Sequence, residues 1–179
     1  MNKKEHIIET ATKLFSENGF DKTSLSSICE KADVSKGLIF HHFKSKDNLL
    51  REIFIRTTKM IEEINNVDFE NSTPSENLEL VLNSYFNQLE ADKLDFQLNL
   101  NIMIQPTTRE ILGDLIKVRT SLVLKSVRKI FDEIDIENSE VMSYILIAEL
   151  DGIALDYLAV FDKYPLKKIR IHIINKYKY

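Results

Sequence analysis

Apolar residues recur at helical spacing along almost the whole of this 179-residue chain, and little interrupts them. Four Gly and three Pro give few turn signals, and no pair of alternating apolar runs is joined by an Asn-Gly or Asp-Gly turn. That pattern excludes a sandwich, a barrel or a collagen-like chain and predicts an all-α fold of about nine helices. The length suits one domain, or a small unit joined to a larger one, and 44% apolar residues supply a core. One cysteine, Cys29, excludes an intrachain disulfide framework and a cysteine-rich zinc site; the thiol is expected to be a buried structural one. No eighteen-residue apolar run occurs, and Met-Asn-Lys-Lys-Glu-His at the start carries no leader-like block. A soluble, cytoplasmic protein with no membrane partner is the expectation.

Helix limits follow from caps and breakers. Ile7, Ala11, Leu14 and Phe15 mark one face of a helix over about 3–18, closed by Asn18-Gly19. Short helices follow, one after Thr23 and Ser24, another after Ser35, and a longer one after Ser45 that runs to about 65. Thr73-Pro74-Ser75-Glu76 combines a cap, Pro at the first helical position and a reciprocal Glu, and predicts a helix to about 91. A helix at about 94–104 ends before Pro106, and Thr107-Thr108-Arg109-Glu110 is expected to cap the next, through about 134. Residues 139–161 and a last helix from Pro165 complete the chain, with loops at 66–73 and 104–107.

The formal net charge of −4 conceals an uneven distribution. Residues 1–60 hold 11 Lys/Arg against 8 Asp/Glu, residues 61–162 hold 7 against 20, and residues 163–179 hold 6 against none. Basic ends on an acidic body are a reason to look for polyanion contacts at the N-terminal end.

Residues 23–50 are the most informative stretch. Two short helices meet at Ala32-Asp33-Val34-Ser35, with Ile28, Cys29, Ala32, Val34, Leu38 and Ile39 placed to lock them together. The second helix presents Lys36, Gly37, His41 and His42, flanked by Lys44 and Lys46. A helix N-terminus offers N–H donors to phosphate, Gly37 permits close approach of a duplex, and the lysines position it on the backbone. Adjacent His41 and His42 diverge around a helix and form no two-ligand metal site, so no metal or other cofactor is expected.

These residues resemble the DNA-binding segment of the TetR family of bacterial transcription regulators. Val34-Ser35-Lys36-Gly37, Leu38-Ile39-Phe40-His41-His42-Phe43 and Lys44-Ser45-Lys46-Asp47-Asn48-Leu49-Leu50 follow the family signature nearly position for position, over about residues 5–52. The resemblance implies a helix-turn-helix DNA-binding domain at 1–47, continuous with a larger antiparallel helical regulatory and dimerisation domain at 48–179. It places Thr23 or Ser24, Lys36, His42 and Lys46 where the family contacts phosphate, and Gly37, Leu38 and His41 on the operator-facing side; Lys44 is read as a further phosphate contact. The family often carries Tyr where this chain has Phe40 and His42. Phe40 therefore reads either as structural or as a bare apolar edge, whereas His42 keeps a ring-nitrogen donor. Ser27 stands where an acidic capping partner for Ser24 is frequent.

In the body, Phe86, Leu89, Phe96, Leu100, Met103, Tyr144 and Leu146 are candidates to line an apolar effector pocket, with solid core as the competing reading. Val141, Ile145, Ala148, Gly152, Leu155 and Ala159 form one stripe, and Ile169 and Ile173 a second, fit for a four-helix C2 homodimer interface. The expected function is a homodimeric DNA-binding regulator, a repressor released from a palindromic operator by a partly apolar small molecule. An enzyme is disfavoured because no phosphate loop, metal spacing or nucleophile motif occurs.

Overall fold

The computed structural model of the chain describes residues 2–65 and 72–178; the 66–73 loop expected above thus lies largely outside the described residues. Among these residues the fold is all-α, with no strand. In chain order the helices are α1 Lys3–Asn18, α2 Leu25–Ala32, α3 Lys36–Phe43, α4 Lys46–Asn65, α5 Pro74–Ala91, α6 Lys93–Ile104, α7 Pro106–Asp132, α8 Ser139–Leu155 and α9 Leu166–Lys176.

The ends of these helices are set by identifiable side chains. Asn2 caps α1, Ser24 caps α2 and Ser35 caps α3, each accepting from a backbone N–H of the first turn. Gly19 closes α1 at φ +80°, a region that an L side chain rarely enters, and a Cβ there would stand 3.1 Å from Gln105 Nε2. At α5 the reciprocal box forms: Glu76 N–H donates to Thr73 Oγ1, and Thr73 N–H donates to Glu76 Oε2 at 2.7 Å.

Two expectations need correction. The Thr107–Glu110 box does not form, because Pro106 already occupies the first helical position of α7. Thr108 is instead buried, its hydroxyl turned back to the carbonyls of Ile102 and Gln105 at 2.8 and 3.0 Å. The single helix expected over 139–161 is also interrupted. After Leu155 the chain widens into a π-helical turn, Asp156–Val160, closed by Phe161 N–H donating to Asp156 O at 3.0 Å.

The described chain divides into two compact units. The first comprises residues 1–60 and 94–118. Its core joins Ile7, Phe15, Ile28, Ile39 and Phe54 from α1–α4 to Leu98 and Ile102 of α6 and Leu112 of α7. Cys29 is half-buried against this core. The second unit comprises residues 61–93 and 119–179, and α9 packs on α5 within it. Leu82, Phe86, Phe131 and Leu146 are fully buried there, and Tyr85 donates its hydroxyl to the Leu150 carbonyl at 2.6 Å.

Candidate nucleic-acid interface

α3 owes its orientation to two side chains one turn apart. Ile39 and Phe43 are buried in the core of the first unit, which turns Lys36, Gly37, Phe40, His41 and Lys44 outward together. The turn before it is equally well specified. Asp33 takes the left-handed conformation at φ 50°, ψ 50°, and Val34 N–H donates to Cys29 O at 3.0 Å. Ser35 Oγ then accepts from Leu38 N–H at 3.2 Å and starts α3.

The exposed face carries two free-standing cations and a ring. Lys36 Nζ lies 5.9 Å from the centroid of Phe40. Lys44 follows the last turn at φ +64°, ψ −35°, with Ser45 N–H donating across it to Phe43 O at 2.8 Å. That is a tight three-residue turn with positive φ, costly for a residue with a Cβ. His41 is exposed and His42 half-buried; rather than diverging, their rings meet edge to face with centroids 5.2 Å apart. Leu38 is half-buried against the core.

Two residues expected at phosphate are engaged within the protein. Thr23 is only 3% exposed, its hydroxyl held at the carbonyls of Gly19 and Leu14, so of the pair Thr23 or Ser24 it is Ser24 that reaches solvent. Ser24 caps α2, and the Ser27 hydroxyl, lacking a carboxylate's reach, donates to the Ser24 carbonyl at 2.7 Å. Lys46 donates to the carbonyls of Phe20 and Thr23, both at 3.0 Å, with its ammonium 4.1 Å from the Phe20 ring centroid. It braces the approach to α2 and keeps one of its three donors for an outside partner.

Ion pairs join the helices behind this face, the candidate DNA reader. Lys4 Nζ bonds Glu52 Oε1 at 2.6 Å and Arg56 pairs with Glu5, tying α1 to α4. Arg51 forks onto Asp114 at 2.6 and 2.8 Å and also donates to the Ile111 carbonyl at 2.7 Å, fixing α4 to α7. The Arg51 hydrogen bonds hold the Asp114 carboxyl at about 2, well below its usual range. Sequence reasoning missed this clamp, because no local spacing signals a pair 63 residues apart. It also left Phe40 open between a structural residue and an apolar edge, because its outward position needed the buried phase of α3 to be known.

In the second unit, Val141, Ile145, Ala148, Gly152, Leu155 and Ala159 are all exposed, so the expected stripe lies on one open face of α8 and the π turn. A Cβ at Gly152 would meet nothing within 4 Å. Ile169 and Ile173 of α9 are half-buried. The pocket candidates fall in both units. Phe86, Leu89 and Leu146 are fully buried in the second unit, and Phe96 and Leu100 are half-buried in the first. Tyr144, 55% exposed, and Met103, 38% exposed, face solvent. The basic tail finds partners inside its own unit: Lys176 pairs with Glu149, Lys178 with Glu79, and Arg170 donates to Asn83 and Asn87. Among the described residues no cluster of three or more His, Cys, Asp or Glu is arranged to hold a metal, and no helix is long and apolar enough to cross a membrane.

Residues 7–53 match the family described as bacterial regulatory proteins, tetR family. The chain is 32% identical over 88 residues to the HTH-type transcriptional regulator AcrR of Shigella flexneri, covering 49% of this chain and 40% of that protein. It is 30% identical over 129 residues to the fatty acid metabolism regulator protein of Bacillus subtilis, covering 72% of this chain and 63% of that protein. The match thus spans less than two thirds of either relative. A solved transcriptional regulator of the TerR/AcrR family from Aquifex aeolicus superposes with a TM-score of 0.76 at 25% identity, covering 98% of this chain and 97% of its own.

Proposed function

This chain belongs to the TetR family of bacterial regulatory proteins, and from that premise we propose that it is a homodimeric repressor that leaves a palindromic operator when a small molecule binds. The outward face of α3 carries the reading: Lys36, Gly37, His41 and Lys44 stand on one exposed side of a short helix whose other side is buried. Residues 1–47 are assigned to DNA binding and 48–179 to regulation and dimerisation. Ser24, Lys36, His42 and Lys44 would engage phosphates, Lys46 would offer its remaining donor, and Gly37, Leu38 and His41 would face the groove.

Dimerisation through α8 is supported by its unpartnered stripe, where Val141 is 59% and Ile145 48% exposed. A C2 pair would set two recognition helices about 34–36 Å apart, one turn of the duplex. The effector is a molecule with an apolar part, held against the interior to which Phe86, Leu89 and Leu146 contribute. Its binding would favour one of two reader spacings. The name of the Bacillus subtilis relative makes fatty acids the first class to screen.

Selection of bound duplexes from a random-sequence pool by the full chain tests this reading. Enrichment of inverted half-sites about one helical turn apart is expected. A pool left unenriched would sink it.

A further inference from the structure

Phe40 is the one large apolar side chain of α3 that is exposed, at 44%. Ile39 and Phe43, rather than Phe40, are the buried pair that anchors the helix. Its surroundings suit a polyanion rather than a protein partner: Lys36 and Lys44 are exposed on the same face, with the Lys36 ammonium 5.9 Å from the ring. Gly37, one turn before Phe40, puts no side chain beside the ring. A Cβ at Gly37 would meet only Ser35 Oγ at 3.8 Å, so the space there opens outward and nothing inside the protein requires it. A phenyl ring has no donor or acceptor and so bonds neither a phosphate nor a polar base edge. In the major groove the distinctive apolar feature is the C5 methyl group of thymine.

We propose that Phe40 is a specificity-determining residue that reads a thymine in each half-site by packing its ring on the C5 methyl group. The inference rests on the DNA-binding reading above and adds to it a base contact.

The test uses the duplex selected by the wild-type chain, with each thymine replaced in turn by deoxyuridine, which lacks only that methyl group. For the wild type, one position per half-site should weaken binding about fourfold, the worth of one buried methyl-sized group. The Phe40→Ala variant should bind the thymine duplex more weakly and show no further loss at that position, while Phe40→Tyr, which retains the ring, should keep the penalty. The thermal unfolding of Phe40→Ala is measured alongside, so that any loss of stability is separated from loss of the thymine penalty. Uracil tolerated at every position, a selected site without thymine, or an unchanged penalty in Phe40→Ala would overturn the methyl contact while leaving DNA binding intact. Failure of the wild type to select any duplex would overturn both.

Discussion

Gly37 and Lys44 are two residues at which the reader gives up stability within its own fold. A glycine in a helix costs about 1 kcal/mol relative to alanine, and nothing in the protein crowds a Cβ at Gly37. The Gly37→Ala variant should therefore unfold at higher temperature, with a gain of roughly 0.5–1 kcal/mol, yet bind DNA more weakly; loss of stability would mean that the glycine serves packing. Lys44 holds φ +64° at a cost of about 1–3 kcal/mol. Replacing it by Gly should raise the melting temperature and lower DNA affinity together, whereas a fall in both would contradict the role assigned to its charge. At this scale the sequence was informative where chemistry is local. Ser24, Ser35 and Thr73 cap as their spacing predicts. The bonds that Thr23 and Lys46 make inside the protein were not legible, because the carbonyls that hold them come from folding, not from neighbouring residue types.

Among the elements, α4 and α7 matter most to the geometry of the reader. α7 is one 27-residue helix whose first half contributes Leu112 to the reader's core, and α4 is fixed to it by the Arg51–Asp114 fork. Asp114 is held at about 2 against an ordinary value of 3.8, chiefly by its hydrogen bonds from Arg51. Its folded-state value is the lower one, so its contribution is present above pH 3.8 and fades as pH falls towards 2. The stability advantage of the wild type over Asp114→Asn should accordingly be larger at pH 6 than at pH 3 in thermal unfolding. An equal advantage at both would show that the charge of Asp114 does not matter. Helix positions were legible because apolar spacing and caps repeat the same message. The interruption at Asp156–Val160 was not, since one residue of extra winding leaves no local composition mark. Nor was the packing of α6 and early α7 into the reader's core, which depends on contacts far apart in sequence.

For the whole molecule, the uneven charge now has a physical account. Lys176 and Lys178 answer Glu149 and Glu79, so part of the basic tail offsets the acidity of its own unit. The cations turned outward on α3, Lys36 and Lys44, are exposed and in no ion pair among the described residues, as the proposed contact with DNA requires. If the proposed dimer forms through the α8 stripe, placing a charge there, as in Ile145→Glu, should turn dimer into monomer by light scattering and weaken DNA binding; an unchanged dimer would contradict that interface. The most direct test of the central claim is the salt dependence of duplex binding by the full chain. Affinity should fall steeply and linearly on logarithmic axes between about 50 and 200 mM salt. Lys36→Ala should flatten that slope by roughly one phosphate contact per protomer. Binding that ignores salt, or a slope unchanged by removal of Lys36, would contradict the assignment of this face to DNA.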